Sequence, residues 1–346
     1  MKREHEFRPS KMFSPESIEA AFAEFAGNAP KLFAHAKSPK TIFLLRSAWR
    51  SWRKWCEENG QPAMPVAGAS LSGWVACLVD RGLTAGTITE YVASLSTICH
   101  YHGFELDRAP IREWLKVVRR QGRPPRRAAP LTKEKLAAVL KLLDDDEPRD
   151  CRDGALLAIM YAAALRGSEA TGLDWKRPGS TELGGTGWID FDSQGLVIEL
   201  LRSKTSQVTP VQIVIPDKDM PSARRWLEAW IKAADIRPGQ PVFVPIDRWG
   251  NFGSARLAPK AVSEIIRARM EDYCYAKRLP ATEAALMVQQ FTSHSARRGY
   301  CTSASLAGLS LGEIRKRSRH SSDSVLAKYI EDAQGWRYSG LRGVGV

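Results

Sequence analysis

The chain has 346 residues, 44% of them hydrophobic, and its 51 lysines and arginines against 38 acidic residues leave a formal charge of +13. That length accommodates two domains with separate cores, and that apolar content excludes an intrinsically disordered chain. The positive excess favours a polyanionic partner, through attraction to phosphates and release of their counterions, and no apolar run approaches the roughly 20 residues of a membrane span.

The opening residues, Met1 to Glu6, have no apolar signal core behind them, so an intracellular protein is expected. The six cysteines, Cys56, Cys77, Cys99, Cys151, Cys274 and Cys301, form no Cys-x-x-Cys pair. They read as free core thiols of a reducing compartment rather than a zinc ribbon or redox motif. His100 and His102 have no further ligand cluster near them and read as ordinary helix or loop residues; no metal site is expected.

In chain order, residues 1–37 mix charge with one amphipathic stretch, Pro15 to Phe25, and read as an arm or an extra helix. Residues 38–120 are firmly helical. Ile42, Leu45, Trp49, Trp52 and Cys56 follow the spacing of a buried stripe, while Arg46, Arg50, Arg53 and Lys54 occupy other faces, either solvated or phosphate-binding. A second helix runs from about Ser70 to Arg81, with Gly82 placed to end it by a left-handed cap. A third spans Thr87 to His102 and a fourth Ile111 to Arg120. With no convincing strand before residue 120, this part is an all-helical domain.

Residues 121–130 interrupt the pattern with Gly122, Pro124, Pro125 and Pro130, which marks a linker. Arg119, Arg120, Arg123, Arg126 and Arg127 make it strongly cationic, as suits either a crossing of a DNA backbone or simple solvation. Beyond it, residues 131–346 form a second domain. Thr132 is placed to cap a helix, and an apolar helix runs from Gly154 to Leu165. Trp188–Phe191, Leu196–Leu201 and Val208–Ile215 predict a small three-stranded antiparallel sheet. Helices return at Ser222–Ala233, Pro259–Tyr273, His294–Ala307, Leu311–Arg317 and Ser322–Ile330. The fold class is mainly α, an all-helical first domain joined to an α+β second one.

Reactive residue types gather in the second domain. Arg166 stands between an apolar helix and a second helix start, where a planar guanidinium is held rigidly and suits two phosphate oxygens at once. Glu169 can orient a neighbouring imidazole or guanidinium. Lys204 falls on a predicted hairpin tip, from which it can swing to donate a proton to a leaving oxygen. His294-Ser295-Ala296-Arg297 puts an imidazole and a guanidinium near one helix face. His320 follows, with Tyr329 nine residues later, an attacking phenol near the third turn of a short helix.

In order and spacing, Arg166, Lys204, His294-Ser295-Ala296-Arg297, His320 and Tyr329 resemble the active-site set of the tyrosine site-specific recombinases. The likeness looks closest to the Cre type and covers residues 38–335. Arg50-Ser51-Trp52-Arg53-Lys54-Trp55-Cys56 and Arg81-Gly82-Leu83-Thr84 are similar to the first domain of that type. One departure is His320, where the Cre-type pattern often has tryptophan and the wider family histidine; both donate a hydrogen bond to a phosphate oxygen.

The resemblance implies a C-shaped DNA clamp of core-binding and catalytic domains. It implies Tyr329 as nucleophile, with Arg166, Arg297 and His320 stabilising the transition state. Lys204 is then the general acid and His294 the base or orienting group, with Glu169 behind them. It implies no cofactor and no metal, double-stranded DNA carrying a specific recombination site as partner, and a homotetramer in which Trp336 docks into a neighbouring subunit. It places Thr84, Thr87, Thr89 and Glu90 on one helix, and Lys260, Arg267 and Arg269 on another, as candidate base-edge readers in major grooves. Two alternatives share parts of this pattern: a type IB topoisomerase or telomere resolvase, and a non-catalytic DNA-binding relative.

Overall fold

A computed structural model describes residues 39–121, 127–177, 185–201, 210–320, 322–323 and 326–327. The chain divides into two compact units, Met1–Pro125 and Arg126–Val346.

The described part of the first unit is helical: α1 (Pro39–Glu58), α2 (Gly68–Asp80), α3 (Ala85–Tyr101) and α4 (Ala109–Gln121). The stripe Ile42, Leu45, Trp49, Trp52 and Cys56 is buried and forms one core with Trp74, Ile88, Leu95 and Ile98. Trp52 and Trp74 meet edge-on at 5.4 Å, the geometry in which the positive rim of one ring faces the negative face of the other. The Trp52 indole N–H is satisfied by the Ala63 carbonyl at 2.9 Å. Gly82 adopts φ +75°, the left-handed conformation that ends a helix without a Cβ clash. Thr84 caps α3, its hydroxyl accepting from the Thr87 N–H.

The second unit begins with α5 (Lys133–Leu140), α6 (Pro148–Ala162) and the short α7 (Gly167–Thr171). Strands β1 (Leu173–Trp175), β2 (Gly187–Asp192), β3 (Gly195–Leu200) and β4 (Val211–Pro216) follow. The helices α8 (Pro221–Ala233), α9 (Pro259–Ala276), α10 (Ala281–Val288), α11 (Ser295–Leu306) and α12 (Leu311–Ser318) complete the described elements. Thr132 occupies the cap position of α5, but its side chain makes no cap bond to the helix backbone.

The sheet has four strands in the order β1-β2-β3-β4, not the expected three. The expected strands pair antiparallel, and β1 adds to the edge in parallel with β2. Its three residues are all buried, so it shows none of the alternation by which a half-exposed strand is recognised. Helix α6 also starts earlier than its apolar run, at Pro148, with Glu147 as cap. Its charged first turns are buried as ion pairs: Asp153 binds Arg152 at 2.7 Å and Arg269 of α9 at 2.7 Å. Asp150 holds the same Arg269 at 2.6 Å.

Among the described residues no helix is long and apolar enough to cross a membrane. None of their His, Cys, Asp and Glu side chains group in threes or more as a metal site would.

Helices α6 and α8 pack closely because Gly154 faces Trp226; a Cβ at 154 would lie 2.6 Å from the indole. Gly154→Ala therefore sets a helix-propensity gain of about 1 kcal/mol against an overpacking cost of about 1–3 kcal/mol. The net expectation is a lower urea midpoint with an unchanged m-value; a higher midpoint would show that Trp226 yields.

Candidate active site

The site is built on the C-terminal turn of α6. A helix end leaves its last carbonyls without intrahelical partners and carries the negative end of the macrodipole. Ala164 turns the chain at φ +47°, and the Leu165 N–H reaches back to the Met160 carbonyl at 3.0 Å, a Schellman closure. The carbonyls left over are taken by arginines from two later helices. Arg317 Nε donates to the Ala162 oxygen at 2.8 Å, and Arg319 Nη1 to that of Ala163 at 3.0 Å. The Ala164 oxygen accepts from both Arg297 Nη1 at 2.9 Å and Arg319 Nη2 at 3.3 Å.

One buried carboxylate anchors the same group. Glu169, 3% exposed, accepts from Arg166 Nη1 at 2.6 Å and from the Arg166 backbone N–H at 2.9 Å. Arg319 Nη2 donates to it at 2.9 Å. Burial alone would raise the Glu169 carboxyl, but Arg319 and Arg166 outweigh it and hold it below the usual carboxylate range. Arg166 stands between the two helices as expected, as the N-cap residue of α7.

Three guanidinium groups face this one carboxylate. Burial, and then the neighbouring Arg166, push Arg297 down to about 10. It remains a cation at neutral pH, held where an anion would relieve it. Its Nη2 is buried and, among the described residues, has no hydrogen-bond partner.

His320 follows α12 in the chain. Arg319 before it turns the chain at φ +56°. Burial first, then Arg297, Arg166 and Arg319, push the imidazole down to about 4, so it is neutral at pH 7. Its Nδ1 lies 2.8 Å from the hydroxyl of Ser318. His294 is the exposed N-cap residue of α11, close enough for its charge to act on His320. The structure therefore brings Arg166, Glu169, His294, Arg297 and His320 together. Lys204, Tyr329 and Trp336 lie outside the described residues.

Three participants were not anticipated. Ser318 and the arginines 317 and 319 lie in a basic run, Arg315 to Arg319, of the kind that ordinarily reads as a solvated face. Arg319 stands next to His320 in sequence, and that adjacency was the available signal.

The expected DNA-facing residues divide. Arg50 and Arg53 are exposed on α1, Arg46 is half-buried there, and Arg127 is exposed; Arg123 and Arg126 lie outside the described residues. Glu90 is exposed on α3. Thr84 and Thr87 hydrogen-bond to each other at 3.1 Å, and the Thr89 hydroxyl donates to the Ala85 carbonyl at 2.7 Å. The Lys260 side chain is 90% exposed, 3.7 Å from Glu264. Arg267 donates to the Phe291 carbonyl at 3.0 Å. Arg269 does not fit a base-reading role: with its side chain 12% exposed it is spent on Asp150, Asp153 and Asp272.

Glu169 and His320 both have depressed pKa values in the fold, so both lend stability at neutral pH and withdraw it on acidification. For His320 the window runs from its ordinary 6.5 down to about 4, because the unfolded imidazole takes up a proton that the folded one refuses. Urea midpoints should fall across that window, and fall less steeply in His320→Gln; equal slopes would contradict the burial of the neutral ring. Glu169→Gln, which leaves Arg166 and Arg319 without their counterion, should cost about 3–5 kcal/mol at neutral pH in the same assay.

Comparison with known proteins gives a consistent assignment. The Phage integrase family model matches residues 130–335. An integrase/recombinase xerD homolog of Selenomonas ruminantium is 26% identical over 322 residues, 90% of this chain and 87% of that one. Recombinase cre of Escherichia phage P1 is 22% identical over 330 residues, 91% of each chain, so the Cre likeness is accompanied by one to XerD. Among solved structures, XerH site-specific recombinase bound to palindromic difH substrate, in a post-cleavage complex, aligns with a TM-score of 0.60 at 12% identity. That alignment covers 97% of this chain and 86% of that one. The Tn1549 transposon integrase in complex with transposon right end DNA aligns with a TM-score of 0.55 at 14% identity, over 96% and 100% of the two chains. At such identities the structural likeness establishes the fold alone. The sequence match spans more than half of the chain and includes the whole arginine cluster: the protein belongs to the phage integrase family, the tyrosine site-specific recombinases that cleave and rejoin DNA strands.

Proposed function

We propose that this chain recombines double-stranded DNA at a specific site, with Tyr329 as the nucleophile and Arg166, Arg297 and His320 as the phosphate-binding groups. The observation that carries this reading is the buried Arg297 Nη2, a cationic donor with no partner among the described residues, beside a second guanidinium that Glu169 holds in place. An unpaired buried donor is costly, and a phosphodiester oxygen is the acceptor that satisfies both its hydrogen bond and its charge.

The Tyr329 oxygen attacks the phosphorus as its proton leaves, with His294 the accepting or orienting group. Charge builds on the equatorial oxygens, where Arg166, Arg297 and a neutral His320 donor offset it. Lys204 gives its proton to the departing 5′ oxygen. The product is a 3′-phosphotyrosine and a free 5′-hydroxyl, so the bond energy is retained. Attack by the 5′-hydroxyl of a partner strand reverses the step on new DNA and passes through a Holliday junction. Exchange between two duplexes needs four such centres, hence a homotetramer on two short inverted-repeat sites, with Trp336 docked in a neighbouring subunit. Arg46, Arg50, Arg53 and Arg127 are proposed phosphate contacts, and Glu90 and Lys260 proposed groove contacts.

The test is incubation with DNA carrying the protein's own site, in EDTA. A covalent adduct lost in Tyr329→Phe is expected. Arg297→Ala should slow its formation by about 10²–10³-fold, the usual effect of removing one transition-state donor. An adduct that persists in Tyr329→Phe would sink the assignment. Relaxation of plasmid by a monomer without strand exchange would point to a topoisomerase-like activity instead.

A further inference from the structure

The last turn of α12 carries a group that the chemistry above does not use. Ser318 is fully buried, and its hydroxyl lies 2.8 Å from His320 Nδ1. A buried serine is not unusual alone. Its place beside the imidazole has a chemical consequence.

A neutral imidazole carries one proton, on one nitrogen or the other. To donate from Nε2 to a phosphate oxygen, His320 must accept at Nδ1. The opposite tautomer would present the Nε2 lone pair to an anion. We propose that Ser318 is a positioning residue that fixes His320 in the Nε2–H tautomer, its hydroxyl donating to Nδ1. A serine hydroxyl can donate as well as accept, and at 2.8 Å it is placed to give its proton to Nδ1. The ring's own proton is then left on Nε2, at its far edge. Burial and the surrounding guanidinium groups keep the ring neutral, the state in which tautomer choice matters; a protonated ring would donate from both nitrogens whatever stood behind it.

This inference rests on the proposed role of His320 as a phosphate donor, and two measurements separate the two ideas. The first needs no DNA: side-chain 15N spectra of the full chain labelled at histidine, with His320 assigned by its loss in His320→Gln. The expected result at neutral pH is a protonated Nε2 and an unprotonated Nδ1, shifting toward a tautomer mixture in Ser318→Ala. A protonated Nδ1 in the unmodified chain would overturn the proposal whatever the enzyme does.

The second is a cycle of single-turnover cleavage rates for the unmodified chain, Ser318→Ala, His320→Trp and the double variant. An indole N–H has no tautomer to choose. Ser318→Ala should slow cleavage about tenfold beside histidine, as expected for loss of one correctly placed hydrogen bond, and have little effect beside tryptophan. Equal slowing in both backgrounds would mean that Ser318 only fills space, and would overturn the proposal. If the unmodified chain forms no tyrosyl adduct, the functional reading fails, and the spectra still decide the tautomer.

Discussion

The C-terminal turn of α6 is the constraint on which the rest of the site depends. Its last carbonyls have no partners within the helix, and arginines from distant points of the chain supply them. The helix is core along its length, with Leu156, Ile159 and Met160 fully buried. Its end is therefore fixed by packing, and the arginines inherit that rigidity. A guanidinium whose fork is held by one carbonyl loses little further entropy when it meets a phosphate, and preorganisation of this kind is the main resource of a site that works by electrostatics.

The charge balance is as important as the geometry. Glu169 is enough to hold Arg166 and Arg319 in place but not enough to neutralise them together with Arg297. The resulting excess is visible in His320, kept neutral by burial and by the guanidinium groups around it. Folding thus leaves an energetic deficit that an incoming dianionic transition state would remove. The same deficit explains why Glu169 is held ionised against its own burial: without it the arginine cluster would be a net liability in the empty protein.

Much of this was legible in the chain. The α1 stripe is readable because Ile42, Leu45, Trp49, Trp52 and Cys56 repeat with a helical period, and Gly82 because only a left-handed turn suits that position. The identities of Arg166, His294, Arg297 and His320 followed from residue types in order. Contacts made by backbone atoms were not legible. Nothing in Ala162-Ala163-Ala164 announces that its carbonyls will each receive an arginine, since alanine carries no polar signal of its own. Arg269 was misread as a base-edge reader for the complementary reason: a basic residue on a helix suggests a DNA contact, and only the fold shows Asp150 and Asp153 already beside it. Strand β1 escaped because a fully buried strand has no exposed face to create a pattern.

Arg319 is bound up with a trade of another kind. It occupies a backbone conformation that glycine adopts freely and that other residues enter at a cost of roughly 1–2 kcal/mol. A lineage drifting to glycine here would relax the turn, yet forfeit the link that joins Glu169 to the carbonyls of Ala163 and Ala164. The backbone and the side chain therefore make opposite demands at this one position. The strained turn is what delivers one guanidinium to both the helix end and the buried carboxylate.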